Sequence, residues 1–163
     1  MKHSISEVQK ATSPNPFCLI TSGDGESTNI MALSWWTYLS NHPASVAICV
    51  SKKSYSGSLI KQNGMFALCL ADVSIKDAAF SCGVCSGRTC NKAAEFKIAL
   101  KKASIITPML IEKSPVSLEC RVTQTVDAGD HDMFIAEIVE THLNLDYKHI
   151  AAYEGYRRVD AMN

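Results

Sequence analysis

The sequence predicts a mainly β fold, a barrel or sandwich carrying short helical insertions. Three observations lead there. Apolar runs are short and bounded by Gly, Pro, Asn and Ser; one segment alternates strictly with period two; and helical signals are confined to short pieces.

The elements follow in order. Phe17 to Ser22 is the first apolar run, and Gly23-Asp24-Gly25 supplies positive-φ positions for a hairpin turn. Asn29 to Thr37, NIMALSWWT, then returns as one strand. His42-Pro43 breaks the pattern, and Ala44 to Val50 is a continuous apolar strand with Met65 to Ala71 as its expected partner. Between those two, Tyr55 to Asn63 reads as a helix with Ser54 at its N-cap and Gly64 at the C′ position. A second helix is expected from Ser74, where Ser74 and Asp77 have capping-box spacing and Ile75, Ala78 and Ala79 share a face. Ser81 to Lys102 is mixed, with a short helical piece around Ala93 to Phe96. Val116, Leu118, Cys120 and Val122 alternate with Ser117, Glu119, Arg121 and Thr123, a strand with one buried face. The turn DAGDHD follows, then Met133 to Glu140 as the return strand. With no repeat or linker, residues 1–163 are expected to form a single domain.

Sixteen basic residues balance sixteen acidic ones. A neutral chain has no broad footprint for nucleic acid or an anionic membrane, so any anion site must be local. The apolar runs are too short to cross a bilayer, and the first residues lack a signal-like stretch; the expectation is a cytoplasmic protein with neither nucleic-acid nor membrane partners. Seven cysteines, an odd number, then read as reduced thiols rather than a disulfide framework.

G-x-G-x-x-G, P-loop, H-E-x-x-H and G-x-S-x-G motifs are all missing. What remains is a strand-to-helix corner, Ser51-Lys52-Lys53-Ser54-Tyr55-Ser56. Unpaired N–H groups and the positive end of the helix dipole favour an anion there, and a flavin phosphate would suit it; alternatively it is a capped, solvated helix start. NIMALSWWT sets Asn29 and Ser34 beside Met31, Trp35 and Trp36, which suits a flat ring needing an apolar wall and a few donors, or an ordinary core strand. Cys82, Cys85 and Cys90 form C-x-x-C-x-x-x-x-C, open to a thiol couple, a metal set completed by Cys69 or Cys120, or plain reduced thiols. No metal site is expected. His131, flanked by Asp130 and Asp132 in a turn, is either a solvated loop residue or an imidazole aimed over a cofactor.

Four blocks, NIMALSWWT, SKKSYSGSLIKQNGMF, CGVCSGRTCNKAAEF and PVSLECRVTQTVDAGDHDMFIAEIVE, together resemble the flavin reductase-like family, including the flavoredoxins, over about residues 16–139. The resemblance implies an FMN-binding split β-barrel that pairs into a homodimer. It implies that Asn29, Met31, Ala32, Ser34 and Trp35 line the isoalloxazine and ribityl chain, and that Ser51, Lys53, Ser54 and Ser56 hold the phosphate. Ser86, Gly87 and Arg88 would lie at the flavin edge, and His131 near the ring or an incoming nicotinamide, in a catalytic role. The sequence departs from the family in two places. Phe66-Ala67-Leu68-Cys69-Leu70 lacks the Asn usual after the aromatic, and Cys85 and Cys90 are additional.

The function implied is an oxidoreductase moving electrons from NAD(P)H through FMN to free flavin or a protein acceptor. One rival is a flavoredoxin-type electron carrier, served by a redox partner protein, without NAD(P)H oxidation of its own. Another is a thiol- or metal-based redox sensor that keeps the barrel without the flavin.

Overall fold

Short apolar runs persist as strands when both their faces find partners, and here they do. The computed structural model describes residues 4–154 and 156–162. Its strands are β1 (Asn15–Pro16), β2 (Cys18–Ser22), β3 (Asn29–Leu33), β4 (Trp36–Asn41), β5 (Ala44–Ser51), β6 (Met65–Leu70), β7 (Leu100–Lys101), β8 (Leu110–Ile111), β9 (Val116–Ala128), β10 (His131–Leu143), β11 (Ile150–Tyr153) and β12 (Arg158–Ala161). The helices are α1 (Ile5–Ala11), α2 (Tyr55–Asn63), α3 (Lys76–Ser81) and α4 (Lys92–Glu95).

Seven strands make one antiparallel sheet in the order β3-β2-β6-β9-β10-β5-β4. Its edge strands, β3 and β4, are consecutive in the chain and joined only by Ser34 and Trp35. Three Cα steps reach about 11 Å at most, so the sheet must curl until its edges nearly meet. The result is a mainly β split barrel with its seam between β3 and β4.

All seven strands feed one enclosed apolar cluster. Ile20, Ile48, Phe66, Leu68, Leu118, Cys120 and Phe134 fill it, Met31, Leu33 and Trp36 border it, and Ile60 of α2 packs into it. A second cluster covers the outer face, where Leu19, Ala67 and Cys69 meet Ile98, Ile106, Leu110 and Ile150. β2 and β6 are thus buried on both faces, which is why neither alternates in sequence.

Local signals placed α2 well. Ser54 Oγ accepts from the Gly57 N–H, and Gly64 is left-handed at φ 67. Other expectations need correction. NIMALSWWT is two strands on opposite edges, because Ser34-Trp35 crosses the seam. β5 pairs with β4 and β10, while β6 pairs with β2 and β9, so Ala44–Val50 and Met65–Ala71 are not partners. The Ser74–Asp77 capping box is absent. A 3-10 turn over Val73–Ile75 leads into α3, and Asp72 caps it by accepting the Ser74 N–H at 2.8 Å. The backbone N–H of Lys148 and that of Ser74 hold the Asp72 carboxyl down at about 2.

β9 and β10 run farther than the patterning suggested. Nor is the polar face of β9 solvated at its start: Ser117 and Glu119 are buried, Glu119 beneath residues 104–106. The Ser4–Glu7 capping box of α1, the β7–β8 pair and the three-stranded β1-β11-β12 sheet were not expected. No helix among the described residues is long and apolar enough to cross a membrane.

Candidate functional site

The register of the sheet builds the site. On β10, His131 lies opposite Ser51, the last residue of β5, so the β9–β10 hairpin tip meets the corner where β5 turns into α2. The Trp35 carbonyl accepts the Cys49 N–H at 2.9 Å, which brings the seam residue to the same place. Its indole and the His131 imidazole are 4.7 Å apart between ring centres. His131 Nδ1 lies 2.7 Å from Asp130 Oδ1, and that bond holds the Asp130 carboxyl below the ordinary aspartate range. Nε2 is thereby left as the ring nitrogen open to another partner.

Two adjoining cavities share a wall and together make the candidate slot. The first, about 350 Å3, is walled by Asn29, Met31, Ala32, Lys53, Ser54, Ser56, Ser86, Gly87 and Arg88, all expected site residues. The second, about 290 Å3, takes in the remaining four, Ser34, Trp35, Ser51 and His131. Met31, Ala32, Ser54 and Gly83 belong to both walls. Residues from four separate stretches of chain thus face one space. No Asp or Glu lines either cavity among the described residues, so a neutral protein presents a locally cationic slot.

Polar groups in the slot are partly engaged. Asn29 Nδ2 donates to Ser56 Oγ at 2.7 Å, leaving the Ser56 hydroxyl proton to donate. Ser54 Oγ caps α2 and contacts Met31 Sδ at 3.3 Å, a weak acceptor. Lys52 is committed to Asp127 at 2.6 Å, whereas Lys53 has no acidic partner among the described residues. Arg88 Nη1 donates to the Lys53 carbonyl at 3.3 Å, and its guanidinium lies 5.2 Å from the Tyr55 ring centre. Ser34 Oγ is buried with no hydrogen-bond partner. A buried hydroxyl left unpaired costs about 1–3 kcal/mol, which a ligand acceptor in the slot would offset.

Sequence reasoning missed several wall residues. Tyr55 and Gly83 line the slot, and Tyr156 closes it from the far end of the chain. Lys92 is only 6% exposed, with Nζ donating to the Cys82 carbonyl at 2.6 Å. In NKAAEF it precedes the helical piece expected at Ala93 to Phe96, and no local pattern reveals that its side chain turns inward to the Cys82 carbonyl. Among the described residues no three His, Cys, Asp or Glu side chains converge as a metal set.

The family model described as a flavin reductase like domain matches residues 11–160. An uncharacterized protein of Archaeoglobus fulgidus is 31% identical over 125 residues, covering 76% of this chain and 70% of its own. The solved flavoredoxin of Methanosarcina acetivorans superposes with a TM-score of 0.83 at 20% identity, over 92% of this chain and 86% of its own. The NADH:FAD oxidoreductase SgcE6 of Streptomyces globisporus superposes with a TM-score of 0.87 at 18% identity, over 100% of this chain and 96% of its own. At these identities the two structures speak for the fold alone.

Proposed function

The chain belongs to the flavin reductase-like family, and from that premise we propose that it is an oxidoreductase holding FMN in the slot and moving electrons from NAD(P)H to free flavin or a protein acceptor. The observation that carries this is the slot itself. It offers unpaired cations and helix N–H groups at one end and a buried, partnerless hydroxyl against an aromatic wall at the other.

Each residue has a part in that reading. Lys53, Arg88 and the first N–H groups of α2 hold a single phosphate, where the helix dipole adds to their charge. The Ser56 hydroxyl donates to the same group. Met31, Ala32 and Trp35 form the apolar wall that excludes water, and Ser34 Oγ donates to a polar atom of the ring edge. Bound there, FMN supplies a two-electron centre able to take up hydride. His131, held through Asp130, keeps Nε2 beside the ring or the nicotinamide, to donate a hydrogen bond or relay a proton.

Adding FMN to the purified protein tests this directly: a flavin absorption band must remain with the protein through gel filtration. Anaerobic stopped-flow mixing with NADH and NADPH then separates reductase from carrier. Rapid bleaching of bound flavin supports the reductase, and reduction only by a protein donor supports the carrier. His131→Ala is expected to leave FMN affinity within about twofold and to slow flavin reduction about tenfold, the small effect reflecting a hydride step that needs no proton of its own.

The proposal includes a homodimer. Trp35, Tyr38 and Leu39 are 45%, 59% and 48% exposed on or beside β4, whose outer edge is unpaired. Sedimentation should report a dimer at micromolar concentration. A monomer at all concentrations removes this part of the proposal.

A further inference from the structure

Cys85 and Cys90 lie on the loop between α3 and α4 with their sulfurs 3.4 Å apart. Cys85 lines the flavin slot. Both cysteines also line an open groove of about 640 Å3, together with Thr89, Asn91 and Glu95. The pair therefore touches both spaces.

We propose that Cys85 and Cys90 are a redox-active dithiol that relays two electrons from the flavin slot to a low-molecular-weight disulfide entering the outer groove. This rests on the FMN reading above.

The geometry supports bond formation. A disulfide needs about 2.05 Å, so side-chain rotation on an exposed loop has little distance to close. The remaining thiols are poorly suited. Cys18, Cys69, Cys82 and Cys120 are buried, and burial pushes Cys82 up to about 12 and raises the others as well. Burial likewise raises Cys49, which lies at the far end of the slot. Contact with Cys85 raises the Cys90 thiol while the buried Lys92 ammonium opposes the rise.

The electrons balance in two stages. Two electrons and two protons from reduced flavin break the Cys85–Cys90 bond and leave two thiols, with the flavin oxidised. Cys85, as thiolate, then attacks one sulfur of the external disulfide, forming a mixed disulfide and releasing one thiolate. Cys90 attacks the Cys85 sulfur, releases the second thiolate and re-forms the internal bond. The released thiolates take up the two protons.

The test uses the full chain loaded with FMN, under anaerobic conditions, with 2-hydroxyethyl disulfide as probe. After exposure to the probe, the denatured protein should titrate two fewer thiols and weigh about 2 Da less. Cys85→Ser and Cys90→Ser should show no such internal bond. Photoreducing the bound flavin should then restore both thiols in the wild type as the flavin band returns, while in either variant the flavin stays reduced. Cys85→Ala and Cys90→Ala repeat the test should a serine variant fail to fold. Bound FMN with an unchanged thiol count, or flavin reoxidation that is the same in the variants, overturns the relay and leaves the FMN reading standing. Failure to retain FMN overturns that reading and the relay with it.

Discussion

Gly87→Val is expected to raise the dissociation constant for FMN about 100-fold, a loss of about 2.7 kcal/mol. The glycine is required by close approach, since its φ is not in the left-handed region. A Cβ there would collide with Asn29 Oδ1 and come within 3.1 Å of Tyr55 Cδ1. Neither neighbour gives way easily. Asn29 is buried on β3 and tied to Ser56, and Tyr55 lies in the first turn of α2 beneath the Arg88 guanidinium. The loop carrying Ser86, Gly87 and Arg88 must lift instead, taking Arg88 away from Lys53 and opening the slot beside the start of α2. Flavin fluorescence titration measures the change, and a urea midpoint near that of wild type shows that the fold survives. An affinity within about threefold of wild type would falsify the assignment of this loop to the cofactor.

The second large effect is on stability. Glu119 is fully buried, and its carboxylate accepts the backbone N–H groups of Ser104, Ile105 and Ile106 at 2.7, 2.7 and 3.1 Å. Its other contact is His142 Nε2 at 2.7 Å. One side chain thus ties the 103–107 segment to the outer face of β9. Glu119→Ala leaves three N–H groups without their acceptor and opens a void, for an expected cost of about 3–5 kcal/mol, or on the order of 10 °C in Tm. Glu119→Gln keeps an acceptor oxygen and should cost less.

The same residue sets an acid limit. Burial raises its pKa, but the three N–H groups and His142 outweigh burial, so the folded value lies below the ordinary 4.5. A carboxyl lowered on folding contributes stability in full above its unfolded pKa and loses it as pH falls through the folded one. Urea midpoints should therefore be flat near neutrality and fall below about pH 4.5, with a shallower fall in Glu119→Gln. Identical acid limbs in the two proteins would remove Glu119 from this account.

Much of the local structure was legible. Ser54, Gly64 and the apolar spacing between them mark out α2, because capping bonds close within a few residues. The alternation of Val116, Leu118, Cys120 and Val122 marks β9, because a strand shows its faces by turns. The strand-to-helix corner at Ser51–Ser56 was legible for the same reason: a strand end followed by a helix start is a short-range event. The order and spacing of four blocks carried the family, and with it the stretches of chain that line the slot.

What the sequence by itself determined is the family, α2 and the strand character of its apolar runs, since these depend on neighbours in the chain. Only the tertiary structure decided that Ala44–Ser51 pairs with β10, setting Ser51 against His131. It alone decided that the seam falls at Ser34-Trp35, that Glu119 is buried on a nominally exposed face, and that Cys85 and Cys90 meet. The physical reason is range. Apolar strands such as β5 and β6 are interchangeable as partners until curling the sheet and covering its outer face select one register, and that selection comes from contacts far apart in sequence.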